Sequence, residues 1–261
     1  MQISQVDTLN INSLNRKVIP EQIKQQWKER QLTPEKLVQE LFKSNKLVFL
    51  GEVPHANEDA VDFTVNNMEI LSKQRGVKTI YVELIDTRHQ PTVDLYLNEK
   101  NEKKANELFE KIKKEANYGM GSKLAVLKKA RELRKQGVDI NVITFYSASG
   151  ELYFDDVKKV YPGPWYSEAY KNEIDFELME IVGRTRVIPS NNHWERVIAK
   201  NMEKNEGKGI ILGGGGHGLF PGYGNIAGAP VVLFSSPKYK DANRIIKYVG
   251  ITSDFEVRSK D

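Results

Sequence analysis

The chain has no cysteine among its 261 residues. Disulfides, thiolate nucleophiles and cysteine-based zinc or iron–sulfur centres are therefore excluded. It has no apolar run near the roughly 18 residues that mark a membrane-crossing helix. The stretch from Met1 to Asp7 lacks the basic and apolar regions of a secretory signal. A cytoplasmic protein is the default expectation, with a secreted effector or an excised domain as alternatives. Charge of one sign is scarce overall, at net +4. It is concentrated, however. From Glu99 to Lys135 there are 12 Lys/Arg against 6 Asp/Glu, which leaves the rest of the chain at −2. A solvated helical face explains that stretch as well as an acidic partner does. No aromatic-rich nucleic-acid motif accompanies it, so no nucleic-acid partner is expected.

What is present alternates between two patterns. Short apolar runs read as buried strands: Leu47–Leu50, Lys78–Leu84, Ile140–Phe145, Gly209–Leu212 and Val231–Ser235, with Ile245–Val249 as a possible sixth. Helical patterns separate them. One covers Pro20–Arg30. The next has Thr33 as N-cap, Pro34 at its first position and Glu35 in its first turn. Another begins near Asn57, carries Val61, Val65, Met68 and Leu71 at helical spacing, and ends at Gly76. A charged helical insertion spans about 91–136, broken at Gly119–Ser122 and closed by Gly137, and is expected to cover one face or form a lid. Later helices are expected over Ser167–Val182 and Ser190–Lys204, after an aromatic-rich stretch from Ser147 to Pro164. The expected fold class is α/β, a mainly parallel central sheet with helices on both faces and a helical insertion. With no internal repeat and no linker, the expected organisation is an N-terminal arm (1–20) followed by a single α/β domain (21–261).

The chemistry-bearing residues collect where strands end. Gly51-Glu52-Val53-Pro54-His55 follows the first strand, Glu83 ends the second, and Gly213-Gly214-Gly215-Gly216-His217 follows the fourth. In an open α/β sheet, ligands bind outside the carboxyl ends of the strands. A carboxylate and an imidazole three residues apart can share a metal or act as an acid/base pair. Glu52 reads equally as the cap of the following helix, and Glu83 as the partner of a structural lysine or arginine. Four consecutive glycines suit close backbone approach or positive φ. They lack the Lys-Ser/Thr of a phosphate-binding P-loop. In Asn191-Asn192-His193-Trp194-Glu195-Arg196, His193 and Arg196 share a helix face that can project toward the strand ends. His89, in a polar loop beside Arg88, does not read as a ligand. Tyr118 and Tyr146 are possible pocket residues.

Together these segments resemble the erythromycin esterase/ChaN-like superfamily, which also contains the Tiki proteases and TraB-like proteins. Four short segments between about Lys46 and Ser235 carry the match. Gly51 to His55 reads as the Gly-Glu-x-x-His loop of the esterase branch, Glu83 as the acid after the second strand, and His217 as the late histidine that follows a glycine in Tiki and TraB relatives. The resemblance implies an α/β fold with its site at one sheet edge. There are departures. Trp194 to Ala199 stands where the esterases carry Arg-Asp ahead of a Met-Ala turn, and only one late histidine is present, so a macrolide esterase is not supported.

The superfamily holds metal-dependent peptidases, metal-independent esterases and a haem-binding lipoprotein. The expectation is a hydrolase of an ester or amide, acting on a small-molecule or peptide substrate, with Glu52, His55, Glu83, His217, Arg196 and His193 as site residues. In one version Glu52, His55, Glu83 and His217 bind a divalent metal (Mn, Co or Zn) that activates water. In the other, His55 or Glu83 is a general base and no metal takes part. The alternatives are a haem- or tetrapyrrole-binding protein with a histidine or tyrosine as axial ligand, and a toxin or effector domain.

Overall fold

The computed structural model describes residues 33–53, 58–116, 121–146, 188–215, 217, 229–235 and 255–258. Helix α1 (Pro34–Ser44) starts as the sequence reads: the Thr33 side chain accepts from the Lys36 amide, and Pro34 opens the first turn. Strand β1 (Leu47–Val53) then leads to α2 (Glu58–Arg75) and β2 (Val77–Asp86). Gly76, at φ +71°, takes the left-handed turn that ends α2, and its amide donates to Ser72 O. The insertion is three helices, α3 (Gln90–Asn98), α4 (Glu102–Glu115) and α5 (Leu124–Lys135), with a 3-10 turn, Gly121–Lys123, running into α5. Strand β3 (Asn141–Tyr146), helix α6 (Ile188–Lys204) and strands β4 (Lys208–Gly214), β5 (Val231–Ser235) and β6 (Phe255–Arg258) follow.

The six strands form one sheet in the order β3-β2-β4-β1-β5-β6, and every pairing is parallel. The α/β class with a parallel central sheet is as expected. In the β1-α2-β2 unit the two parallel strands are not adjacent, because β4 lies between β1 and β2. The alternation of strand and helix specifies a crossover and leaves open which strand fills the gap. Strand β6 was not anticipated. The expected arm 1–20, the helices over 20–30 and 167–182, the aromatic stretch 147–164 and the possible strand 245–249 lie outside the described residues.

Strand periodicity sorts the core into two layers. Val48, Leu50, Ile80, Val82, Ile210, Leu212, Val232 and Phe234 face α1 to α5. Leu47, Phe49, Tyr81, Ile211, Val231 and Leu233 face the other way, toward Trp194 and Ile198 of α6. Strands buried on both faces read as continuous apolar runs, which is why the sequence shows runs rather than alternation. The insertion covers a face: Val93, Tyr96, Leu97, Phe109, Ile112, Leu127 and Leu133 belong to the same core as β1 and β2. Arg131 stitches the insertion together through Glu102 and the carbonyls of Tyr96 and Glu99.

Strand β3 ends the sheet, and its outer edge meets Gln90. The Gln90 side-chain amide donates to Val142 O at 2.9 Å and accepts from the Thr144 amide at 2.8 Å and the Thr144 hydroxyl at 3.1 Å. One side chain thus supplies the donor and acceptor that a further strand would, and closes an edge open to aggregation. Gln90→Ala is expected to destabilise the protein by about 1–3 kcal/mol, because Thr144 is buried and loses its partner. Urea denaturation of the two proteins measures it.

Candidate active site at the carboxyl ends of the strands

Glu52 lies within β1, not in the loop after it, and pairs in register with Gly214. Pleating sends its side chain to the face of Val48 and Leu50. Glu83 lies within β2, on the side of Tyr81, and its Oε2 accepts from the Gly214 amide at 3.0 Å. Strand β4 separates the two acids, so their strands run roughly 9–10 Å apart. The carboxylates nevertheless meet a common partner. Lys123 Nζ lies 3.1 Å from Glu52 Oε2 and 3.7 Å from Glu83 Oε2. All three side chains are buried, and Lys123 has no exposed surface.

The glycines make this possible. They were expected to serve a ligand or a positive φ. Gly213 and Gly214 continue β4 as strand, and Gly213 leaves room for its neighbours. A Cβ on Gly213 would stand 3.3 Å from Glu83 Oε2 and 3.6 Å from the Trp194 ring. A Cβ on Gly51 would stand 2.7 Å from Leu233 and 3.0 Å from Gly215 Cα, closer than real side chains come. Removing side chains from the middle strand lets groups from both flanking strands converge over it.

His217 is half-buried. Its ring packs on Trp194 with centroids 4.1 Å apart and planes at 34°, and Trp194 packs on Phe145 at 4.4 Å. Because Trp194 also abuts Gly213, His217 stands at the same sheet edge as Glu83. His193, one residue before Trp194, is half-buried, with a buried Nε2 that has no hydrogen-bond partner among the described residues. Burial and the nearby Arg196 guanidinium push its imidazole below the ordinary 6.5, and the Asp86 carboxylate partly opposes them. Asp86 ends β2, so His193 too lies toward the strand ends. Arg196 is exposed. Tyr146 ends β3. His89 pairs with Glu115 in the insertion, at 3.5 Å. His55 and Tyr118 lie outside the described residues.

Sequence reading brought Glu52, Glu83 and His217 to one edge and missed two residues there, Lys123 and Trp194. Lys123 was hidden among the twelve basic residues of the insertion. Its signal was position: it stands three and four residues before the buried Val126 and Leu127, on the apolar stripe of α5.

A divalent cation does not fit the carboxylates in this arrangement. The lysine ammonium already holds the position between them, and a metal bound to both would sit against it. Among the described residues, no three His, Asp or Glu side chains converge to hold a metal ion. The same residues include no helix long and apolar enough to cross a membrane.

No family model and no curated protein matches the chain. Solved structures do. The type III effector HopBA1 shares 14% identity over 78% of this chain and 82% of its own, at a TM-score of 0.51. A mutant of the erythromycin esterase EreC in its open conformation shares 12% over 77% and 72%, at 0.49. A ChaN of Campylobacter jejuni with cofacially bound haem shares 16% over 78% and 86%, at 0.49. The fold is like that of the type III effector HopBA1. Likeness at this level concerns fold and assigns no activity.

The His193 environment gives a sign for stability. A group whose folded pKa lies below its unfolded value leaves stability intact above the unfolded value and removes it as pH falls through the folded one. Wild-type stability is therefore expected to decline as pH drops below the ordinary imidazole value of 6.5. In His193→Gln that decline should be shallower. Urea midpoints of both proteins at matched pH values check it, and parallel curves would remove His193 as the cause.

Proposed function

We propose that this fold is used as a hydrolase of an ester or amide bond, with its site at the edge where Glu52, Glu83, Lys123 and His217 meet. The observation that carries the reading is the buried Glu52–Lys123–Glu83 cluster beside a half-buried histidine at the carboxyl ends of parallel strands. Burying three charged side chains is costly, and a core of this size gains nothing in packing from them. Buried ionisable groups that converge at the strand ends mark a candidate functional site.

Hydrolysis needs a base for water, stabilisation of the charge that forms, and a proton for the leaving group. Glu83 is a poor base here, since its Oε2 already accepts from the Gly214 amide and faces Lys123. His217 is the proposed base. Packing on Trp194 fixes its ring plane. Two carboxylates and one ammonium leave a formal charge of −1 at the edge. His55 is the proposed proton donor to the departing alcohol or amine. Arg196 and His193 are the proposed contacts to the polar end of the substrate. The substrate is a small ester or amide, or a peptide. The effector likeness bears on where such an enzyme would act, inside the producing cell or outside it, and not on the bond it cleaves.

Tetrapyrrole binding is the second reading. One observation favours it: the candidate axial ligand His217 lies against the buried aromatic pair Trp194 and Phe145.

The test uses the purified full chain with p-nitrophenyl acetate, p-nitrophenyl butyrate and peptide anilides. Turnover is expected. His217→Ala and His55→Ala should each lower it about 10²-fold or more while circular dichroism stays unchanged, as for loss of a general acid or base. Equal turnover in both variants and wild type would overturn the roles given to the histidines. Absence of turnover, combined with a Soret band on haem addition that His217→Ala abolishes, would transfer the site to the second reading.

A further inference from the structure

We infer that the Lys123 ammonium is the resident cation of the strand-end site, standing where a divalent metal would otherwise join Glu52 to Glu83. The inference deepens the hydrolase reading and rests on it for the catalytic role, but the electrostatic claim stands on geometry.

Three observations carry it. The first is the pair of contacts, 3.1 Å to Glu52 and 3.7 Å to Glu83, made by a lysine with no exposed surface. A lysine ordinarily keeps its ammonium in water even when its stem is buried. This one does not. The second is its place in the helix. Lys123 is the N-cap of α5 and makes no side-chain capping bond. A cation at a helix N-terminus opposes the helix dipole, and lysine is a poor cap. Local helix chemistry therefore does not account for it, whereas the two carboxylates do. The third is convergence. The acids come from strands on either side of β4, and Gly213 of β4 leaves room for the Glu83 carboxylate. Carboxylates brought together in this way repel one another unless a cation lies between them.

Lys123 is on this account a positioning residue. It holds Glu52 and Glu83 at the floor of the site, and it bars a metal from them. Two consequences separate it from an ordinary structural lysine. Wild type should be indifferent to divalent cations. Removing the ammonium should create a vacancy that a divalent cation can fill, turning a metal-indifferent protein into a metal-responsive one.

The experiment is thermal melting of the full chain with 1 mM Mn²⁺ or Zn²⁺ and with chelator (about a thousandfold above a micromolar affinity, enough for a clear shift). The proteins are wild type, Lys123→Ala, Lys123→Arg and Lys123→Ala/Glu83→Gln. Wild type should melt at one temperature under all conditions. Lys123→Ala should melt roughly 5–15 °C lower in chelator, as when one partner of a buried pair is removed. Metal should restore several degrees, and the added Glu83→Gln should abolish that response. Lys123→Arg retains a cation and should stay closer to wild type and unresponsive. A metal-dependent melting temperature in wild type would overturn the inference, as would a Lys123→Ala protein that melts like wild type and ignores metal. If Lys123→Ala does not fold, the wild-type and Lys123→Arg melts decide: metal indifference in both supports the inference, and a metal response in either overturns it. Turnover separates the two proposals. Should no ester or amide be cleaved, the hydrolase reading fails and the melts still decide on the cation.

Discussion

Compensation of buried charge at the sheet edge is the constraint around which the rest is arranged. Two acids on strands either side of β4 and one lysine from the start of α5 are buried together. None of the three is tolerable alone. Their pairing requires the strand order to place β4 between β1 and β2, β4 to carry glycine where the carboxylates pass, and the 3-10 turn before α5 to aim Lys123 inward. Each requirement is met by a different stretch of chain. The cluster therefore ties the insertion to the sheet as firmly as the apolar core beneath it.

The edge divides by side-chain parity. Glu52 extends the layer of Val48 and Leu50, which the insertion covers, so the charged cluster is built on that side. Trp194, Phe145 and His217 form an aromatic stack on the opposite side, with α6. Glu83 belongs to the second layer by pleat and reaches the first through Lys123.

Much of this was legible in the residues, for identifiable reasons. Parallel strands buried on both faces leave uninterrupted apolar runs, so β1, β2, β4 and β5 stood out, and an acid at the end of such a run has few structural excuses. The cap at Thr33 and the stop at Gly76 follow from local backbone chemistry and were readable for that reason. What could not be read was non-local. Nothing in β1-α2-β2 announces that β4 will separate the two strands. Nothing in the insertion distinguishes one buried lysine from eleven other basic residues except a helical stripe that a charge count overlooks. The glycines before His217 were noticed, but the room Gly213 leaves for Glu83 and Trp194 was not, because those groups come from far away in the chain.

The position of β4 also governs the order of folding. The bond from the Gly214 amide to Glu83 spans 131 residues of sequence, and contacts that close such long loops form late and slowly. Until β4 arrives, β1 and β2 have no common neighbour, and Glu52 and Glu83 can remain hydrated. The Gly214 donor reaches Glu83 only once the central strand is in place. A chain still emerging from the ribosome therefore lacks the bond that joins the middle strand to this acid.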